Sequence, residues 1–383
     1  VSVTVALIGQ CAVHGPLDLQ GSKAVRDVLT ADVALANLEA TVAVSGAWPT
    51  KTKTLHLASP DALGALAGLG LSAVTHANNH AFDLGPPGIA ATRAAAKAAG
   101  LACAGSGASI EEAAAPARIG RVSILAADMG PQPDLVYASE TRAGIAGLRL
   151  SRAVQLPPDR LAAMRDLAAD LGDAARAAAR RRAGYDAESD AALTLFGTAF
   201  VAGPTVASLW RADASDKARL VASIAAEKTA GRIVVVALHG HHWDADWSAT
   251  PAWFLALAEE IIAAGADVIA ATGAPVLQRA HIIAGRPVFS GLGNAIFHTH
   301  RAARYDAEKL DVWRGVALRL TLADDGAFEG AAVLPIAVGR PEPGPAGLPR
   351  APRPLAAADV GEIHARLIAG LAPETAAKFR GAD

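Results

Sequence analysis

The sequence predicts a layered α/β fold, on three observations. Short β-branched or apolar runs alternate with helical stretches from Val3 to Ala126 and again from Asp216 to Ala271. Of the 383 residues, 52% are hydrophobic and 19% charged, enough to bury a sizeable core. Polar side chains suited to metal binding and proton transfer gather just past the ends of predicted strands, where loops of an open α/β sheet converge on ligands.

The elements follow in order. Val3 to Ile8 is an apolar strand stopped by Gly9, Ser22 to Thr30 is weakly helical, and Ala31 to Leu38 is a second buried strand. Ser59-Pro60 supplies an N-cap residue and a first-turn proline for a helix that ends near Gly68 or Gly70. Leu71 to Thr75 is a strand, Gly88 to Ala99 a helix closed by Gly100, and Leu101 to Ala104 a strand. Helix Ile110 to Ala115 and strand Val122 to Ala126 complete this half. Leu156 to Ala183 reads as one long helix, entered through Pro157-Pro158 and left at Gly184. Arg180, Arg181 and Arg182 near its end suit the helix dipole and a solvated face. The stretch 156–200 is therefore expected to be a helical insertion.

Alternation resumes with helix Asp216 to Thr229, strand Ile233 to Leu238, a helix from Thr250-Pro251 to Gly265, and strand Val268 to Ala271. Hairpins follow: Val276 to Phe289 around Gly285, then Gly315 to Leu322 and Ala331 to Val338 around Asp325-Gly326. Arg340 to Pro354 holds six prolines and reads as a linker or wrapping arm, before a terminal helix from Asp359 to Ala369. The expected organisation is one domain over 1–338, then the proline-rich arm and helix over 339–383.

Charge and cysteine content exclude several functions. Lys plus Arg total 35 against 37 for Asp plus Glu, so nucleic acid or an anionic membrane is not the expected partner. Two cysteines make neither a disulfide framework nor a Cys-rich zinc module. The apolar stretches are interrupted, and VSVTVALIGQ reads as a strand rather than a secretory signal, so a cytoplasmic protein is expected.

Four clusters carry the candidate chemistry. Gln10 and His14 follow the first strand, Asn37 and Glu39 the second, Asn78, Asn79, His80 and Asp83 the third, and His239, His241, His242 and Asp244 the strand from Ile233. Asn78-Asn79 alone would make a turn, and Gln10 alone a loop hydrogen bond. His239 and His241, two apart on extended chain, face one side and can share an ion. Glu, Asn and neutral His form a mixed O/N set for a divalent ion such as Zn or Mn, with Ca and Mg as further candidates. His14, His56, His281 and His364 read as structural or exposed.

The segments IGQC, ALANLEATV, THANNHAFDLGPPGIAAT, VVVALHGHHWD and GADVIAATGAPVLQRAHIIAGRPVFSGLGNAIF resemble the CapA-like proteins, over about residues 3 to 298. These are named for poly-γ-glutamate capsule biosynthesis and have a metallophosphatase-like α/β/β/α sandwich. The resemblance implies Glu39 as the bridging-type carboxylate, Asn79 as an amide ligand, His239 as a histidine ligand and His80 as the acid/base; His241, which the family's usual segment lacks, and Gln10 are the candidates to complete the metal set. Where the family's first strand ends Gly-Asp, this chain has Gly9-Gln10. Where it has Gly-His-His-Pro-His, this chain has Ala271-Thr272-Gly273-Ala274-Pro275. One rebuilt metal site is therefore expected in place of two.

A single ion weakens the case for phosphoester hydrolysis, in which paired ions clamp the attacking and leaving oxygens. The CapA-like branch that epimerises lasso peptide precursors without an organic cofactor fits a single ion. It implies inversion of a Cα centre in a precursor peptide. A proton carrier is then needed on each face: His80, oriented by Asp83, and His298, with His242 in reserve. A metal-dependent phosphoesterase or γ-glutamyl-peptide hydrolase is the alternative.

Overall fold

A computed structural model describes residues 2–52, 54–185 and 191–382. Two compact units divide the chain: residues up to Leu148 together with those from Ser215 onward, and Arg149–Ala214.

The larger unit is built on two sheets. In the first, Val3–Ala12 lies at the centre, parallel to Val33–Leu38, which continues through Ala73–Thr75 to Ala102–Ala104. On its other side Val3–Ala12 pairs antiparallel with Arg314–Leu322, itself paired with Phe328–Ala337. The second sheet runs Ala280–Ile283, Arg286–Phe289, Val268–Thr272, Ile233–His239, Val122–Asp128 and Ala117–Ile119. Alternate residues of both sheets meet in one core: Val5, Leu7 and Leu318 from the first, Ile124, Val235 and Phe289 from the second. The opposite face of the first sheet, with Ala6, Ile8 and Ala36, packs on Val25 and Leu29 of helix Lys23–Leu29 and Leu63 and Leu66 of helix Asp61–Leu69. The expected α/β fold and its strand-end loops are those observed.

Two expectations change, and one strand appears that the sequence did not announce. The smaller unit is not simply helical. Among its described residues it is a four-stranded sheet ordered Leu193–Leu195, Thr198–Ala202, Leu150–Leu156 and Ala207–Ala212, with two helices, Pro158–Asp170 and Asp173–Arg182. The single long helix breaks because Gly172 takes a left-handed conformation, φ 72°. Leu156, Leu161, Leu195 and Phe200 give the unit its own small core. The part of the expected insertion at 186–190 lies outside the described residues. The tail beyond residue 338 is also no separate region. Arg353–Pro354 and Phe379–Gly381 both pair with Phe328–Ala337, and Ile363 and Leu367 of helix Ala357–Ile368 enter the main core. Lastly, the chain after Leu292-Gly293 forms strand Asn294–Phe297, parallel to the end of Val3–Ala12, with Gln10 opposite Asn294.

That last pairing depends on two glycines. A Cβ on Gly9 would stand 2.2 Å from the Gly293 carbonyl oxygen, which accepts the Gln10 N–H at 2.9 Å. The irregular register on both sides of Gln10 lies where the two backbones touch. Gly9→Ala is therefore expected to cost about 3 kcal/mol, since backbone cannot yield as a side chain would. Urea unfolding measures this, and an unshifted midpoint would show that the contact is not limiting.

Candidate metal centre

Parallel strands deliver the site. Glu39 follows Val33–Leu38, Asn79 lies four residues beyond Ala73–Thr75, and His239 ends Ile233–His239 with His241 just after it. The Glu39 carboxylate is buried in the protein and its N–H is held by the Cys11 carbonyl at 3.0 Å, which fixes its backbone to the central strand. His239 Nε2 stands 3.1 Å from His241 Nε2 and 2.9 Å from Asn79 Oδ1, and Glu39 Oε1 lies 3.9 Å from both histidine nitrogens.

These donors fit one divalent ion. Ligand atoms of a tetrahedral ion with bonds of about 2.1 Å stand about 3.4 Å apart. The observed 3.1, 3.9 and 3.9 Å bracket that spacing. Among the described residues, Glu39, His239 and His241 are the one such group of carboxylate and imidazole donors. Thr272 Oγ1 lies 3.0 Å from His239 Nδ1, and a hydroxyl there can accept the ring N–H and leave Nε2 its lone pair. Burial first, then the nearby His241, His80 and Lys51, hold the His239 pKa well below the ordinary value, so the ring is neutral, as a ligand must be. Trp243 lies tilted against His241, ring centroids 5.0 Å apart, and limits where that ring can turn.

Gln10 stands beside this group but is engaged elsewhere. Its Oε1 accepts the Gly273 N–H at 2.9 Å and its Nε2 donates to Asn294 Oδ1 at 2.8 Å. A carboxylate could not make that donation. Gly273 is equally constrained, with φ 117° and the Gly240 carbonyl oxygen 2.0 Å from where a Cβ would stand, so no imidazole could project from this position. The expected contribution of Gln10 to the metal set is thus replaced by a structural role that ties the first strand to two loops.

Next to the donors, the His80 ring bonds through Nδ1 to Asp83 Oδ2 at 2.8 Å. Asp83 is fully buried and also accepts the His56 N–H at 2.8 Å and pairs through Oδ1 with the Lys51 ammonium. A carboxylate so loaded with donors accepts, so the proton sits on His80 Nδ1 and Nε2 serves the cavity. That cavity holds about 230 Å³, and its walls include Glu39, His80, His241, Trp243, Arg301 and Tyr305.

The other expected proton carriers are placed elsewhere. His298 is buried and absent from the cavity wall. Its Nδ1 accepts the His14 N–H at 3.3 Å, and burial with the neighbouring His14 lowers its pKa to about 4. His242 turns to the Met129 carbonyl at 3.0 Å and to the edge of Trp253. Sequence reasoning passed over several residues of the site, among them Trp243, Arg301 and Tyr305 on the cavity wall. His56, read as structural, lines the cavity and lies 4.3 Å from the His80 ring centroid, with His14 Nε2 3.0 Å from its Nδ1. Lys51 sits in a loop without a motif, and only the fold brings it to Asp83.

Residues 18–299 match the family described as bacterial capsule synthesis protein PGA_cap. The chain is 28% identical over 268 residues to an uncharacterized protein of Sinorhizobium fredii, covering 67% of this chain and 56% of that one. It is 25% identical over 274 residues to a protein of Mycobacterium tuberculosis named probable polyglutamine synthesis accessory protein, covering 71% of this chain and 57% of the relative. The chain thus spans little more than half the length of either. No helix among the described residues is long and apolar enough to cross a membrane.

The centre makes a direct expectation. Wild-type protein should hold about one divalent ion per chain, and Glu39→Ala or His241→Ala should remove most of it. Gln10→Ala should keep the ion while lowering stability. Elemental analysis after dialysis checks the ion content of all three and urea unfolding the stability; full occupancy in both ligand variants would refute the site.

Proposed function

The chain belongs to the bacterial capsule synthesis protein family, and on that premise we propose that it is a mononuclear metal-dependent enzyme that hydrolyses an amide bond in a carboxylate-bearing, peptide-like chain. The observation that carries this reading is the His80–Asp83 pair beside a single two-histidine, one-glutamate donor group. That donor composition is one of the recurrent sets of zinc peptidases. A divalent ion held there supplies Lewis-acid polarisation of a carbonyl.

The chain's own residues do the rest. His80 Nε2 takes a proton from the attacking water and returns it to the leaving nitrogen, while Asp83 keeps the ring in that tautomer. Arg301 on the cavity wall offers a guanidinium to a substrate carboxylate, and Trp243 and Tyr305 give flat walls that exclude water. A glutamyl chain has both the amide and the carboxylates. The Mycobacterium tuberculosis relative is named for polyglutamine synthesis, which supports a peptide-like substrate.

Inversion of a Cα centre in a lasso-type precursor peptide is the second reading. It requires a second proton carrier in the cavity. His298 does not line it, but Tyr305 does, and burial raises that phenol's pKa so that it keeps its proton.

The test uses L-γ-glutamyl-p-nitroanilide and poly-γ-glutamate with the metal-loaded protein. Hydrolysis should stop on chelation and fall by about 10²- to 10⁴-fold in His80→Gln. Undiminished turnover in either case would overturn the assignment. Deuterium entering the Cα of a precursor peptide in heavy water, without cleavage, would transfer the site to the second reading.

A further inference from the structure

We propose that Lys51 is a positioning residue, whose ammonium holds the Asp83 carboxylate in the orientation that fixes the His80 ring on the cavity wall. The inference rests on His80 being the proton carrier, and it extends the site to a loop that nothing in the sequence marked. Lys51 does not line the cavity. It acts from behind: its Nζ pairs with Asp83 Oδ1 and donates to the Asn79 carbonyl. Asp83 Oδ2 is thereby left to His80 Nδ1 and the His56 N–H, both at 2.8 Å. The two carboxylate oxygens thus have separate duties, and only one faces the ring.

The loop that carries Lys51 is laced onto the same segment. Thr50 donates its N–H to the Asp83 carbonyl at 2.9 Å and its hydroxyl to the Phe82 carbonyl at 2.5 Å. The ammonium is therefore delivered at a fixed place, since its backbone neighbour is anchored to the turn that bears Asp83. Its charge is needed there because Asp83 is wholly buried: burial pushes the carboxyl pKa up, and Lys51 is the largest influence opposing that. Without it, the carboxyl group either takes up a proton or turns toward another donor, and in both cases its hold on His80 Nδ1 is lost.

The test is a proton NMR signature that needs neither substrate nor metal. An imidazole N–H bonded to a carboxylate gives a far-downfield signal, assigned here to His80 by its absence in His80→Gln. The signal should be present in wild type, retained in Lys51→Arg, and lost in Lys51→Met, with circular dichroism showing both Lys51 variants folded. Should Lys51→Met fail to fold, Lys51→Gln, which keeps a donor without the charge, is read the same way. Retention of the signal in a folded uncharged variant overturns the proposal, as does its absence from wild type. Failure of the hydrolysis assay leaves this comparison intact, so the two readings fail separately.

Discussion

The buried carboxylate of Asp83 is the interaction around which the site is organised. An ionised carboxylate with no exposure to water costs several kcal/mol unless its lone pairs are met by donors. Here the donors are the Lys51 ammonium and the His56 backbone, from the loop 43–56, and the His80 ring, from the turn that bears Asp83. None of the three is a neighbour through regular secondary structure. Satisfying one anion therefore gathers a loop, a short strand's entry and a strand-end turn, and sets the cavity wall that two of them share.

A second constraint limits the ligands that these strand ends can offer. The strand ends that would supply a second set of ligands are filled by backbone contacts. Gly9 lies against Gly293, Gly273 lies against Gly240, and the Gln10 amide bridges Gly273 and Asn294. These contacts are close enough that side chains cannot be restored singly. Recovering a dinuclear centre would require an acid at position 10, imidazoles after Ala271 and a rearranged loop together. The single donor group is thus tied to packing at the ends of interior strands, not to isolated positions.

Much of the fold was legible because it is written in local patterns. The parallel strands from Val3, Val33, Ala73 and Ile233 are continuous apolar runs, and the helix after Pro60 has its stop signal at Gly70. Glu39, Asn79, His239 and His241 were legible because parallel strands all release their loops at one end. The rest had no local signal. Strand Leu150–Leu156 mixes exposed and half-buried residues and sits beside an Ala/Arg-rich stretch, so helical propensity dominated its surroundings. His298 looked like a site residue from its place after the Leu292-Gly293-Asn294 motif, yet strand Asn294–Phe297 turns it inward against His14. Lys51 and His56 acquire their roles only through tertiary hydrogen bonds, which no periodicity reports.

The order of strands in the first sheet also bears on how the molecule comes to exist. Val3–Ala12 lies between Val33–Leu38 and Arg314–Leu322, with Asn294–Phe297 along its end. One of its flanks is thus closed by neighbours from early in the chain, and the other by segments some three hundred residues away. Closing so long a loop costs conformational entropy before any contact repays it, and folds dominated by such pairings form slowly. While synthesis proceeds, the central strand waits with one apolar edge unpaired, the kind of surface that invites association with other chains. Arg149–Ala214, whose strands pair among themselves, faces no such delay. The vulnerable interval for this protein is therefore the time between emergence of Val3–Ala12 and arrival of Arg314–Leu322.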